Sequence, residues 1–219
     1  NDLLTQTGPG TPMGEMFRRY WLPVLLSSEL PENDCPPVRV QVLAERLIAF
    51  RDSDGQLGLI DEFCAQRGIS LWFGRNEEGG LRCPYHGWKY NVHGDCVEIP
   101  SEPQESGLCN RIKLTAYPMI EKGGVIWVYM GPQEHMPPEP EYEFASVPLE
   151  QTFSSKRIQE CNWLQAMEGG IDSSHVSFLH RFTMNTDPLF KGAEGNKYNL
   201  KDSKPAFEVK QIDGGLLIG

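Results

Sequence analysis

Cys83-Pro84-Tyr85-His86-Gly87-Trp88 constrains this chain more than any other stretch, because it sets a cysteine and a histidine three positions apart on a tight loop. Upstream stands Cys64-Ala65-Gln66-Arg67-Gly68, with sixteen residues, 67 to 82, between Gln66 and Cys83. Two Cys/His arms on neighbouring hairpin loops could close on structural zinc, which takes both residue types in a tetrahedral array. They could also hold a [2Fe–2S] cluster, with two cysteines on one iron and two histidines on the other. Gly68, Gly87 and Pro84 suit the close backbone approach a cluster needs. The first arm should then offer a cysteine and a histidine one residue apart. It offers Cys64 and Gln66.

The surroundings read as β-rich from Val38 to Glu98. VRVQVL alternates apolar and polar, and LIAF and LGLI flank Asp54-Gly55, a strong hairpin signal. Further short strands are expected around Leu81, Trp88–Val92 and Val97–Ile99, with turns at Gly79-Gly80 and His93-Gly94. GVIWVYM, Gly124–Met130, reads as a buried strand. Residues 132–148, rich in proline and glutamate, sustain neither helix nor central strand and read as a linker. Beyond it TFSSKRIQ suggests a strand, and NWLQAMEGGIDSSHVSFLHRF a mostly helical stretch broken at Gly169-Gly170. FEVKQIDGGLLIG suggests a strand, a turn and a second strand, and the pattern stops midway, as in a fragment. Near the start, a short helix is expected from Met13 to Tyr20.

Bulk properties exclude some classes. The 219 residues suffice for one or two domains with a real core. Thirty acidic against twenty basic residues give a formal charge of −10, which argues against nucleic-acid binding and suits solubility or a basic partner. No stretch approaches the ~20 apolar residues of a membrane span. No signal peptide is visible, and six scattered cysteines fit a reducing compartment, so a cytoplasmic location is expected.

CPYHGWKYNVHGDCVEIP closely resembles the second ligand loop of Rieske-type iron–sulfur domains, especially those of ring-hydroxylating oxygenases. That family's pattern is C-x-H, about sixteen residues, then C-x-x-H. The chain matches it at Cys64, Arg67-Gly68, Cys83 and His86, and departs at Gln66. The resemblance implies a [2Fe–2S] cluster on Cys64, Cys83 and His86, with Gln66 at the fourth position. The loop-bridging cysteines of respiratory Rieske proteins are replaced here by Ile69 and Tyr85, which points to the oxygenase or ferredoxin type. A glutamine oxygen is a weak neutral donor for iron. Three readings of Gln66 follow: a knocked-out cluster, a substitute ligand, or a cluster that persists in a crippled site. His93, in a turn beyond the hairpin, is a poor substitute.

Asp172, His175 and His180 form the second constellation. Two histidines and a carboxylate make the facial triad of non-haem Fe(II) oxygenases. On a regular α-helix His175 and His180 would point about 140° apart, so a kink or a helix end is needed. An N-capping Asp172 and solvent-facing histidines are the plainer alternative. Ring-hydroxylating oxygenase α subunits carry D-x-x-H-x-x-x-x-H after the Rieske domain, and ECNWLQAMEGGIDSSHVSFLH looks like the phthalate dioxygenase branch. By that resemblance His175 and His180 bind the mononuclear iron, and Asp172 links it to the cluster of a neighbouring subunit. The third ligand, a later aspartate, is missing from this chain. Asp187, Asp202 and Asp213 come too early.

The expected architecture is α+β. An N-terminal segment (1–37) packs on the catalytic domain; a Rieske domain (38–131), a Pro-rich linker (132–148) and the start of a helix-grip-like catalytic domain (149–219) follow. The resemblance implies an oxygenase component that uses O₂ and electrons from a flavin- and NAD(P)H-dependent reductase, with a ferredoxin as a possible intermediary. Its substrate would be an aromatic carboxylate, hydroxylated or O-dealkylated in a homotrimer or a multiple of one. Phe178, Leu179, Phe182 and Met184 could line the pocket or pack a core. A Rieske electron carrier would not need the linker or the Asp172 segment. A cluster-deficient, non-catalytic relative would account for Gln66.

Overall fold

The computed structural model describes residues 1–188, 192–194, 196–201 and 203–218. They form two compact units, Asn1–Ile158 and Gln159–Gly219. The mixture of helix and sheet is the α+β class the sequence suggested.

In the first unit, short helices α1 (Asp2–Thr5) and α2 (Pro12–Phe17) precede the sheets. Helix α2 starts where Thr11 Oγ1 accepts the Gly14 N–H and Pro12 fills the first turn. It ends at Phe17, short of the expected Tyr20. Eleven strands follow: β1 (Trp21–Leu26), β2 (Val38–Val42), β3 (Glu45–Arg51), β4 (Leu57–Asp61), β5 (Arg75–Glu77), β6 (Gly80–Arg82), β7 (Lys89–Tyr90), β8 (Cys96–Glu98), β9 (Ala116–Tyr117), β10 (Met119–Lys122) and β11 (Val125–Tyr129). They make three antiparallel sheets, ordered β2-β3-β4-β9, β5-β6-β7-β8 and β1-β11-β10.

Strand β3 explains the layering. Leu47, Ile48, Ala49 and Phe50 are all buried, a continuous run expected only where both faces of a strand are covered. Leu47 and Ala49 join one core with Leu25, Ile126 and Val128. Ile48 and Phe50 join the other with Leu81, Tyr90, Cys64 and Cys83. The two cysteines are thus part of an apolar core, and the loops they begin are anchored by it.

The β3–β4 hairpin turns at Asp52–Gln56 around Gly55 (φ +82°), as the Asp-Gly signal indicated, with Asp52 Oδ1 accepting the N–H groups of Asp54 and Gln56. The β2–β3 turn gives no such signal. Leu43 and Ala44 sit at φ +46° and +63°, a two-residue hairpin conformation that glycine or asparagine usually supplies.

Residues 1–37 were expected against the catalytic domain. Within the first unit β1 pairs with β11, Trp21 opposite Tyr129, and Leu25, Leu30 and Cys35 are buried. Those side chains share a core with Leu47, Ala49, Ile126 and Val128, which holds the segment to the sheets. The Pro-rich stretch after β11 holds only short 3₁₀ turns, yet Trp21 donates to Pro137 O (3.2 Å) and Tyr142 packs on Trp127. It lies on the first unit, and the division between units falls after Ile158. TFSSKRIQ forms no strand: Ser154 bonds Gly123 O (3.1 Å) and Lys156 pairs with Glu29 (2.6 Å) through side chains in place of a ladder.

The second unit contains α3 (Trp163–Ile171), α4 (Val176–Leu179), α5 (Thr183–Thr186), α6 (Asn196–Lys201) and the hairpin β12 (Val209–Ile212) and β13 (Gly215–Ile218). Asn162 caps α3 by accepting the Gln165 N–H (3.0 Å). Gly169 and Gly170 lie inside α3, so the expected break there is corrected: the chain leaves the helix at Asp172, whose ψ of 114° is extended. No helix among the described residues is long and apolar enough to cross a membrane.

Glu62 ties the first ligand loop to the sheet. Its side chain is 2% exposed and accepts from Ser70 Oγ (2.6 Å), Arg39 (2.9 Å) and Arg46 (3.0 Å). Burial raises its pKa, but the Ser70 hydroxyl and the two guanidiniums outweigh that and hold it low. We expect Glu62→Gln to destabilise the protein by about 1–3 kcal/mol, since three donors lose a charged acceptor. A urea-unfolding midpoint checks this, and an unchanged midpoint would show that the network contributes nothing.

Candidate metal centres

Two loops in the first unit repeat one backbone pattern. In the loop after β4, Cys64 N–H donates to Ile69 O and Gly68 N–H to Cys64 O, each at 2.9 Å. In the loop after β6, Cys83 N–H donates to Trp88 O (2.8 Å) and Gly87 N–H to Cys83 O (3.1 Å). The fifth residue of each loop is a glycine in the left-handed region, at φ +68° for Gly68 and +76° for Gly87. A Cβ on Gly87 would also lie 3.0 Å from the Pro100 ring.

The side chains meet in two pairs. Cys64 and Cys83 are 3% and 1% exposed, and their thiols interact. Cys64 Sγ lies 3.3 Å from Tyr90 Oη, which also accepts the Ala65 N–H at 3.2 Å. Burial pushes the Cys83 thiol up, the Tyr85 and His86 N–H groups pull it back, and Cys64 raises it further. Burial likewise raises the Tyr90 phenol, keeping it a neutral hydroxyl.

The second pair bridges the loops: His86 Nδ1 is 2.5 Å from Gln66 Oε1. An amide oxygen only accepts, so Nδ1 carries the proton in this bond. A protonated nitrogen is not a metal ligand, and metal binding there requires the bond to break. The ring of Tyr85 lies against that of His86, with centroids 3.9 Å apart. His93 sits in the exposed β7–β8 turn, its N–H on Asn91 Oδ1.

Among the described residues, no group of three or more His, Cys, Asp or Glu is placed to hold one metal ion. Two thiols in one pair and an imidazole in the other suit two iron positions better than one tetrahedral zinc. The thiol pair fits a [2Fe–2S] cluster. The second pair does not: it offers one imidazole and one neutral amide already bonded to each other.

Behind the second loop, Arg82 donates to Gly87 O (3.0 Å) and is paired with Glu77, Glu78 and Glu98, while Lys89 meets Glu78 and Glu98. This buried cation, adjacent in sequence to Cys83, fixes the loop from below. Sequence reading missed it, as it missed Tyr90 and Glu62, although each stands within two residues of a loop or its closing strand.

In the second unit the expected geometrical problem is solved by a break. Helix α4 is a single turn, with His175 at its N-cap and His180 at its C-cap. The two imidazoles approach edge to face, with centroids 5.2 Å apart. Asp172 Oδ1 accepts the Ser174 N–H (2.8 Å), and Oδ2 meets His175 Nδ1 at 2.9 Å. Those two contacts, the Ser174 N–H first, hold the Asp172 carboxyl below its ordinary range. With Nδ1 engaged by Asp172, Nε2 is the nitrogen of His175 left for a metal. Phe178, Leu179 and Phe182 are exposed. The side chain of Met184, and Asp202, lie outside the described residues.

A family model for the Rieske [2Fe-2S] domain matches residues 20–118, and one described as LigXa C-terminal domain like matches residues 128–216. The phthalate 4,5-dioxygenase oxygenase subunit of Pseudomonas putida is 47% identical over 98% of this chain and 50% of its own length. The chain belongs to the Rieske oxygenase α subunits, in the phthalate dioxygenase-like branch. Another relative, the 3-chlorobenzoate-3,4-dioxygenase oxygenase subunit of Comamonas testosteroni, is 44% identical over 86% of the chain and 44% of its own length. Among solved structures, Pseudomonas putida CBB5 NdmA with caffeine is 27% identical, with a TM-score of 0.58 over 76% of this chain and 49% of that one. The chain spans about half the length of the curated relatives it matches.

Arg82 and Lys89 hold the Glu98 carboxyl at about 2, against an ordinary 4.5. A carboxylate depressed in the folded state contributes stability above its unfolded pKa and loses it as pH falls. This contribution should therefore disappear between about pH 5 and pH 2. Glu98→Gln should flatten the fall of the urea midpoint across that window, and a variant with the wild-type acid profile would contradict the assignment.

Proposed function

We propose that this chain is part of the oxygenase component of a Rieske-type aromatic oxygenase, and that Gln66 limits how much of its cluster it loads. The observation that carries the reading is the convergence of His175 and His180 beside Asp172, in a chain that also has a Rieske domain. The match over 128–216 counts against a lone electron carrier.

In this reading residues 132–148 link the Rieske domain to the start of the catalytic domain, residues 149–219. His175 and His180 hold Fe(II) with a carboxylate from elsewhere in the protein, and Fe(II) supplies O₂ activation when bound. Asp172 orients His175 through Nδ1 and keeps its Nε2 toward the metal. Asp172 stays ionised because the Ser174 N–H and His175 favour the carboxylate, so it also serves as acceptor for a histidine offered by another subunit.

Electrons come from a separate flavin- and NAD(P)H-dependent reductase, directly or through a ferredoxin. The substrate class is an aromatic carboxylate. Hydroxylation and O-dealkylation are both within reach: the relatives include a 5,5'-dehydrodivanillate O-demethylase oxygenase subunit as well as dioxygenase subunits. The assembly is a homotrimer or a multiple of it, in the cytoplasm.

The test supplies the whole protein with Fe(II), reductase, NAD(P)H, O₂ and a panel of aromatic carboxylates. Gln66→His should form product at least tenfold faster than wild type, while Asp172→Asn in the Gln66→His background should lose most of that gain. Equal rates for wild type and Gln66→His would overturn the role given to Gln66. Electron transfer to an external acceptor without any oxygenated product would favour a carrier.

A further inference from the structure

Cys96 and Cys109 lie outside both donor groups, yet their sulfur atoms are 3.3 Å apart. Cys96 is on β8, opposite Tyr90 in the ladder, and Cys109 opens a single 3₁₀ turn, Cys109–Arg111. Each thiol is within reach of a backbone carbonyl, Cys109 of Cys96 O (2.9 Å) and Cys96 of Glu98 O (3.6 Å). Cys96 is 6% exposed, whereas Cys109 is half-buried. Both border an open cleft of about 670 Å³, whose walls include Glu98, Glu102 and Ser106. Two sulfurs already in contact need to approach by only about 1.3 Å to reach bonding distance.

We propose that Cys96 and Cys109 form an oxidative modification site, at which a hydroperoxide converts the two thiols into an intramolecular disulfide. The cleft gives a small oxidant access to Cys109, and its acidic walls favour a neutral one over an anionic disulfide such as oxidised glutathione. The Cys109 thiolate attacks the terminal peroxide oxygen. The O–O bond breaks, hydroxide or alkoxide leaves, and Cys109 becomes a sulfenic acid. Cys96 then attacks that sulfur, its proton goes to the departing hydroxyl, and water leaves as the S–S bond forms. Two thiols are thereby oxidised by two electrons, and one peroxide is reduced. Cys96 is the more deeply buried of the two, so Cys109 meets the oxidant first and Cys96 takes the second, resolving role.

The closed bond would clamp residues 97–108, and Pro100 in that segment packs against Gly87 of the second ligand loop. The site thus couples oxidant exposure to the loop that carries His86.

The test treats the purified full chain with stoichiometric hydrogen peroxide, alkylates the remaining thiols with iodoacetamide, and maps the peptides by mass spectrometry. A cross-linked pair of peptides bearing Cys96 and Cys109, lighter by two hydrogens and separated by dithiothreitol, is expected. In Cys96→Ser, Cys109 should stop at the sulfenic acid and be captured by dimedone. Alkylation of both thiols after peroxide would overturn the proposal, as would a cross-link from Cys109 to Cys64 or Cys83. If Cys96→Ser fails to fold, the wild-type peptide map alone decides.

Discussion

The same two backbone hydrogen bonds close both ligand loops, and everything at the first centre depends on them. Each loop starts at a buried cysteine, returns the chain five residues later and turns on a left-handed glycine. The cysteines can be buried because β3 supplies a fully covered strand beneath them, with Ile48 and Phe50 in their core. Glu62 and Arg82 then lock the loop bases with charge networks whose partners reach outward. Loop geometry is therefore set by backbone bonds, glycine conformation and buried ion pairs, all contributed by the protein itself.

Within that frame the identity of one side chain changes what the site can hold. The thiols form one pair and Gln66 with His86 the other, an arrangement of the kind a two-iron cluster calls for. A histidine at position 66 would present a second nitrogen lone pair. Glutamine presents a neutral oxygen that binds the proton of His86 instead. The loops thus keep their shape while half of the donor set is turned inward on itself.

Much of the first unit was legible from sequence, because its signals are local: the Asp54-Gly55 turn, the run GVIWVYM and the Cys-x-x-His loop each report their own conformation. The pairing of β1 with β11 was not legible, since it joins residues about a hundred positions apart. The turn at Leu43-Ala44 carries no turn residue, so only its tertiary setting explains it. At the second centre, residues 162–182 read as a mostly helical stretch with a glycine break. The actual exit is at Asp172, where a side chain that bonds the next N–H groups competes with the helix. That break is what lets His175 and His180 converge. The supporting residues Tyr90, Arg82 and Glu62 were invisible because their roles lie in contacts between loops and strands.

The central claim is that Gln66, by bonding His86, keeps this Rieske domain from taking a full cluster. Acid-labile sulfide per chain measures this most directly, because only the cluster contains it and the mononuclear iron does not. The account predicts well under two sulfides per chain in protein purified without oxygen. Two sulfides per chain, with the reduced-state spectrum of an intact Rieske cluster, would contradict it.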